Sequence, residues 1–397
     1  MLEMILAVII GIIAGTITGL IPGLHINLVS LLLFVSAGFF LEFTTPIILG
    51  IFIITMAITH SFLDFLPSIF LGAPDEATAL SVLPGHRFLL KGQGYGAIKL
   101  TTIGCFLGVI IAFIITPLFI FLSPHFYPYL NKIIPFLLIF ISILLIIKEN
   151  KKIPALFIFL FSGILGYLSL NLTIIKQPLF PLFTGLFGSS LLTISFIQNV
   201  KIPKQKIKKI NIKKTETVTG ILSSIFSSSL VSFVPGIGAS QAAAISASIK
   251  KMNEKTFLLL LGIINTMVMI LSFVSLYSIN KPRTGVAVFV GKLLPSFSNS
   301  NLWTFLIIAL IVAIIALFLT LFFAKIFSKN ISKIKYKWLC LGILIFLFIL
   351  TPIISGPASL LILIAGTSLG ILTSVLGIRK IHMMGALILP VILFYFL

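Results

Sequence analysis

The sequence predicts an all-α polytopic membrane protein made of two inverted repeats, each with a broken-helix hairpin and five spanning helices. Hydrophobic residues make up 59% of the 397-residue chain, and charged residues only 9%. A soluble domain of this size needs far more charge to cover its surface. Apolar runs long enough to cross a bilayer recur along the whole length. Two Pro-Gly interruptions stand at matched positions in the two halves.

The apolar stretches 4–41 and 218–249 are the predicted re-entrant hairpins. Each is broken in its middle by Pro-Gly, and each is expected to enter and leave the membrane on the same side. Ten predicted spans accompany them, at 46–72, 98–122, 133–147, 154–175, 180–200, 256–279, 302–327, 338–355, 358–377 and 382–397.

The number of spans per half predicts how the two halves are oriented. Five crossings after the first hairpin make the second half enter from the opposite side, which is inverted topology. We therefore divide the chain into membrane repeat 1 at 1–200, a basic cytoplasmic linker at 201–217, and membrane repeat 2 at 218–397.

The basic residues support one orientation of these spans. The net charge is +20, and 23 of the 28 lysines and arginines fall in loops predicted to face inside. Short cytoplasmic loops collect lysine and arginine. Both termini are therefore predicted to lie outside a multi-pass protein of the cell (plasma) membrane. The same distribution indicates contact with anionic lipids and excludes a nucleic-acid partner.

The two Pro-Gly breaks are the predicted substrate site. A helix broken at membrane depth frees backbone groups that lipid cannot pair, and a half-helix N-terminus presents a positive dipole end to an anion. A packing kink is the alternative for either break alone. The predicted substrate-binding residues at the breaks are Pro22, Gly23, His25, Asn27, Pro235, Gly236, Gly238 and Ser240.

Asp64 is the predicted coupling residue. It lies in an apolar run four residues after His60, so the two side chains share one helix face. A buried carboxylate must be paired, protonated or bound to a cation. The pair is therefore predicted to couple transport to Na⁺ or H⁺, without any other cofactor. A structural hydrogen bond between Asp64 and His60 is an equal alternative. Asn265 is a weaker candidate for a functional role, because an amide within a span commonly serves helix–helix contact.

Asp75, Glu76 and Arg283 fall in corresponding loops of the two repeats. An acid of one loop is predicted to pair with the arginine of the other if the loops meet near the pseudo-twofold axis. Arg283 could equally hold a substrate carboxylate or phosphate through its planar guanidinium. The alternative is that all three side chains face solvent.

Several motifs resemble the TctA family, the large membrane subunit of tripartite tricarboxylate transporters. They are the glycine-spaced first helix ending in Pro22-Gly23-Leu24, the segments Ile69–Arg87 and Lys91–Ala97, and Pro235-Gly236-Ile237-Gly238. The resemblance implies a cation-coupled permease for organic anions, working with a small membrane subunit and an extracytoplasmic binding protein. Asp75-Glu76 departs from the small residues typical of the family there, and paired carboxylates would repel a tricarboxylate.

The sequence thus predicts a secondary transporter of a small organic anion that works by alternating access; its oligomeric state, such as a homodimer, is left open. A transporter of polyprenyl-phosphate or a similar lipid-linked anion is the alternative, and it fits Asp75-Glu76 better. A third hypothesis, from another class, is an intramembrane enzyme using Asp64 and Asp75. Enzyme motifs are absent from the sequence, and Cys105 and Cys340 stand alone and far apart. We therefore predict that the chain is not an enzyme.

Overall fold

The computed structural model describes residues 2–22, 26, 29–30, 33, 36–73, 78–207, 213–233, 238–249 and 252–396. Within these ranges the regular structure is helical, and no strand occurs. Eight of the described helices are long and apolar enough to cross a membrane, and three shorter apolar helices accompany them. The predicted all-α polytopic membrane fold is confirmed. Helices suit this solvent because they satisfy their own backbone hydrogen bonds.

The helices of the first half follow the predicted order. They are α1 (Leu2–Leu20), α2 (Pro46–Leu63), α3 (Val82–Leu90), α4 (Gly94–Ile147), α5 (Lys152–Asn171) and α6, which runs from Leu179–Phe183 through a π turn at Thr184–Ser189 into Ser190–Ile197. A short helix at Ala37–Leu41 precedes α2, a π turn at Pro67–Leu71 follows it, and a 3₁₀ turn at Ala79–Ser81 precedes α3.

The second half begins with two helices separated by the second break. Its helices are α7 (Lys214–Val231), α8 (Ala239–Ile249), α9 (Glu254–Ile279), α10 (Gly285–Leu293), α11 (Asn299–Asn330), α12 (Tyr336–Ser355), α13 (Ser359–Val375) and α14 (Gly385–Phe396). Turns of 3₁₀ helix at Ile331–Lys333 and Lys380–Met384 follow α11 and precede α14. All ten predicted spans coincide with these helices.

One predicted loop is wrong. Residues 123–132, expected to separate two spans, are helical, and α4 continues for 54 residues. It passes through four prolines, at Pro117, Pro124, Pro128 and Pro135. A helix of this length is about 80 Å long at 1.5 Å per residue, so it holds the residues of both predicted spans, and a return crossing requires a sharp bend at these prolines. Proline removes a donor from the helix but does not force it to end.

Glycines let the helices of the two halves pack closely. Gly104 and Gly108 of α4 face Leu259 and Thr266 of α9, so these two helices run parallel with their backbones nearly in contact. In the peripheral layer, α5 packs against α14 and α6 packs against α13. The fourth span of each half therefore packs on the fifth span of the other, which is the exchange expected of two related repeats.

The first spans of the two halves run in opposite directions. Gly94 at the start of α4 faces Phe70 beyond the end of α2, and the Cys105 thiol lies 3.6 Å from the carbonyl oxygen of Ser61. These contacts make α2 antiparallel to α4. Because α4 is parallel to α9, α2 and α9 are antiparallel. Inverted repeats require this relation.

Loops predicted to face inside lie together at one end of the bundle, which we call the basic end. Arg87 contacts Glu254 there, and Arg379 contacts Glu149. The linker joins them through Gln205, whose side-chain oxygen accepts a hydrogen bond from Gly94 N at 2.8 Å. Loops assigned to the same side of the membrane thus share an end of the molecule.

Candidate functional site

The second break is a hairpin of two antiparallel helices. Ser227 of α7 and Ser246 of α8 lie with their hydroxyl oxygens 2.7 Å apart, and the Ser246 hydroxyl also donates to the carbonyl oxygen of Ser223. α7 ends at Val231 and α8 begins at Ala239. Pro235 and Gly236 lie between them, outside the described residues. The described residues show a helix on each side of that segment, and the re-entrant hairpin stays a prediction.

Arg283 lies at the tip of this hairpin. Its Nε donates to the carbonyl oxygen of Ser232, just after the last turn of α7, at 3.0 Å. Its guanidinium carbon lies 5.4 Å from the centre of the Tyr127 ring, within the range of a cation–π contact. Burial lowers the pKa of Arg283, and the hydrogen bond to Tyr127 opposes this. The guanidinium is thus fixed at two points.

One donor of Arg283 is left over. Its Nη2 atom is buried and has no hydrogen-bond partner among the described residues. A buried donor of a charged group is costly to leave unpaired. The arrangement can therefore bind an anionic oxygen without first breaking another contact.

Ser272 of α9 positions the loop that carries Arg283. Its hydroxyl oxygen accepts hydrogen bonds from the backbone N–H groups of Arg283 and Thr284, each at 2.7 Å. α9 ends before this loop at Asn280, whose φ of 51° is the left-handed conformation that commonly stops a helix. Thr284 then caps the start of α10. The end of α9, the start of α10 and the Ser272 hydroxyl thus fix the loop that carries Arg283.

Gly238 and Ser240 also belong to this hairpin. Gly238 precedes α8 and Ser240 lies in its first turn, where Ser240 is fully buried. The start of α8 carries the positive end of its dipole. Gly238 and Ser240 thus lie at the start of α8 of the hairpin, whereas Arg283 contacts the end of α7.

The first break lies beside His60. α1 ends at Leu20 and Pro22 stands in a turn, while Gly23, His25 and Asn27 lie outside the described residues. The Thr18 hydroxyl is 3.1 Å from Nδ1 of His60. The second half has a similar contact, because the carbonyl oxygen of Ser232, at the end of α7, accepts a hydrogen bond from the Ser275 hydroxyl of α9. In each half, the end of the first helix thus contacts a late turn of the first span.

Asp64 lies between the first spans of the two halves. Nδ2 of Asn265 donates to a carboxylate oxygen of Asp64 at 3.3 Å and to the carbonyl oxygen of Ser61 at 3.0 Å. Asp64 is 5% exposed and Asn265 6% exposed. The sequence predicted only a general helix contact for Asn265; the structure makes it a direct partner of the predicted coupling residue.

Asp75 and Glu76 lie outside the described residues. The nearby residue Ala79 shares a cavity with Glu254 at the start of α9. Arg283 follows the opposite end of that helix. The pairing of this acidic loop with Arg283 stays a prediction.

Three site residues were missed by sequence reasoning. Tyr127, Ser232 and Ser272 all contact Arg283. Ser232 is part of a serine-rich run beside the break, which is a weak signal. Tyr127 lies far from Arg283 in sequence, and only helix packing brings the two together. Ser272 lies 11 residues before Arg283 in α9, but a serine in an apolar helix also serves ordinary packing.

Buried ionisable side chains facing the interior of a polytopic helix bundle are typical of membrane transport proteins. The chain belongs to the tripartite tricarboxylate transporter TctA family, whose profile matches residues 5–385. It is 33% identical over 384 residues to the uncharacterized protein MJ1079 of Methanocaldococcus jannaschii, an alignment that covers 93% of each chain. No solved structure matches the chain.

The family match confirms the predicted resemblance. The family is one of transporters, so the chain is a membrane transport protein and not an enzyme. Its members are the large membrane subunits of three-part systems, which also contain a small membrane subunit and a binding protein.

Proposed function

We propose that the chain is the permease subunit for a small organic carboxylate, which it moves by alternating access between two inverted repeats. Arg283 carries this proposal. Its guanidinium is anchored to the Ser232 carbonyl at the hairpin tip and keeps a buried Nη2 donor without a described partner. Arginine binds carboxylates through parallel N–H donors in its planar fork.

The start of α8 supplies a second attraction for the anion. Gly238 and Ser240 stand at the positive end of its dipole, in the hairpin whose other helix ends beside Arg283. At the other break, Pro22 with the neighbouring Gly23, His25 and Asn27 is proposed to complete the site. Alternating access would expose these two breaks in turn to opposite sides of the membrane.

Coupling is assigned to Asp64. Its carboxylate is buried at the contact between α2 and α9, beside the Ser61 carbonyl and Asn265. Oxygen ligands of this kind suit Na⁺, and a buried carboxylate equally suits a proton. His60 lies one turn away and is proposed to assist.

The family name points to tricarboxylates, but Asp75-Glu76 is expected to repel a trianion. Mono-, di- and tricarboxylates therefore all belong in the test. A small membrane subunit and an extracytoplasmic binding protein are the proposed partners, following the family. The basic end is proposed to face the cytoplasm, with both termini outside.

Replacing Arg283 tests this function. In proteoliposomes, the wild-type chain should take up a labelled carboxylate, and Arg283→Ala should abolish uptake while the protein still folds. Loss of one charged hydrogen bond corresponds to roughly 10- to 100-fold weaker binding. Lys281→Ala, an exposed cation two residues away, is the matched control and should transport normally.

Wild-type uptake by Arg283→Ala would remove this residue from the site. Translocation of a polyprenyl-phosphate lipid by the wild-type chain, with no uptake of any carboxylate, would replace the proposed substrate by a lipid-linked anion.

A further inference from the structure

A cavity of about 220 Å³ opens at the basic end, far from Arg283. Its lining includes three cations, Arg87, Arg379 and Lys380, and one carboxylate, Glu254. Arg87 is paired with Glu254 at 2.8 Å, and Arg379 is paired with Glu149 at 2.6 Å. The charge of Lys380 is therefore the one that these carboxylates leave unbalanced.

Lys380 is buried but forms no ion pair with any described residue. It is 7% exposed, and its Nζ has a single polar neighbour, the hydroxyl of Ser190 at 3.4 Å. An ammonium buried with one hydroxyl partner is strongly unfavourable. A bound anion in the adjoining cavity would supply the missing charge.

His86 lies near Lys380 but is not part of the cavity lining. It is 4% exposed, and both ring nitrogens are buried without a hydrogen-bond partner among the described residues. Its ring stacks on Tyr336 with the centroids 5.8 Å apart. It lies close enough to Lys380 to feel its charge, and burial together with Lys380 lowers the pKa of His86 to about 4.

The cavity also adjoins the second hairpin. Ala247 of α8 lines it, and so does Ala79. The second hairpin thus has Arg283 at its tip and this cavity near its base. A volume of 220 Å³ equals about seven waters at 30 Å³ each, which is enough for a small carboxylate.

We propose that Lys380 forms a second anion site in the cavity at the basic end, where the transported carboxylate binds before release. This inference rests on the proposed function, because it assumes that the transported substrate is an organic anion. Lys380 would take the carboxylate oxygens.

Binding to the purified protein separates the two sites. Citrate, malate and acetate would be titrated by calorimetry into the Arg283→Ala variant, which has lost the tip site. We expect it still to bind the carboxylate that binds wild type, and the double variant Arg283→Ala/Lys380→Met to bind it at least about tenfold more weakly. Arg283→Ala/Lys333→Met, which removes an exposed lysine of the same end, should bind as Arg283→Ala does.

Two results would overturn the second site: loss of all carboxylate binding in Arg283→Ala, or equal binding with and without Lys380. If wild type binds none of the carboxylates, the proposed function fails as well. Titration with inorganic phosphate is the remaining arm, and binding of phosphate alone would overturn the carboxylate assignment.

The thermal stability of Lys380→Met without ligand guards against a folding effect. Removing an unpaired buried charge should leave the unfolding temperature unchanged or higher. Lys380→Gln, which keeps a polar partner for Ser190, serves as a second variant. A fall in the unfolding temperature of both variants, with no added anion, would make the lysine a structural residue and contradict the proposal.

Discussion

Arg283 and Asp64 are fixed by neighbours that lie far away in sequence. Arg283 is held by Ser232 and Tyr127, and Asp64 by Asn265. The sequence identified both charged residues because a charge beside or within an apolar span is rare and demands an explanation. It could not identify the uncharged partners, since serine, asparagine and tyrosine in apolar helices also serve ordinary packing.

Neutralising Asp64 should uncouple transport. Asp64→Asn keeps the shape of the side chain and a hydrogen-bond partner for Asn265, but it cannot bind a proton or attract Na⁺. Carboxylate accumulation driven by an ion gradient should fall to simple equilibration, with an inside-to-outside ratio near one. Glu42→Gln, an exposed carboxylate before α2, should keep the gradient dependence. Unchanged accumulation by Asp64→Asn would remove the coupling role.

His86 should make stability depend on acid pH. Burial and Lys380 lower its pKa from 6.5 to about 4, so the unfolded chain binds the proton more tightly than the folded one. The resulting stability is full above pH 6.5 and is lost as the pH falls towards 4. Between pH 7.5 and pH 5 the loss is on the order of 2 kcal/mol.

Unfolding in detergent, followed over this pH range, checks the role of His86. His86→Phe keeps a ring to stack on Tyr336 and should show a smaller loss of stability in acid than wild type. Parallel curves for the two proteins would show that another group causes the acid sensitivity.

Helix positions could be predicted because the thickness of the bilayer sets the length of an apolar run. All ten predicted spans lie on helices. The connection within α4 could not be predicted, since Pro124 and Pro128 usually indicate a loop, yet they lie inside a continuous helix. The π turns at Pro67–Leu71 and Thr184–Ser189 are equally invisible in sequence, because they depend on packing.

Glycine at helix contacts should be more important than glycine facing lipid. A Cβ at Gly166 of α5 would clash with the backbone of Ala386, whereas a Cβ at Gly342 of α12 meets nothing within 4 Å. Gly166→Ala should therefore destabilise the protein by about 1–3 kcal/mol. Gly342→Ala should stabilise it by about 0.5–1 kcal/mol through helix propensity.

Thermal unfolding of the two alanine variants, side by side in the same detergent, is the measurement. Equal unfolding temperatures would mean that the packing of α5 on α14 does not depend on a glycine.

At the scale of the whole molecule, the two halves exchange partners: α2 and α9 are antiparallel, and the fourth span of each half packs on the fifth span of the other. This is the arrangement that alternating access between inverted repeats would use. The two Pro-Gly breaks and the count of spans predict inverted repeats, but they do not predict this exchange of partners. The cavity at Lys380 could not be predicted either, because Arg379-Lys380 resembles an ordinary inside loop in the sequence.

Reciprocal accessibility of the two ends tests the central claim most directly. Cys105 and Cys340 are buried and would first be replaced by Ala. Pro282→Cys, beside Arg283, and Pro84→Cys, in the cavity at the basic end, would then be labelled with a membrane-impermeant maleimide. Pro282→Cys should react from outside and Pro84→Cys only from inside, and substrate with its coupling ion should protect one while exposing the other. Labelling of both from the same side, or parallel changes in the two, would contradict the account.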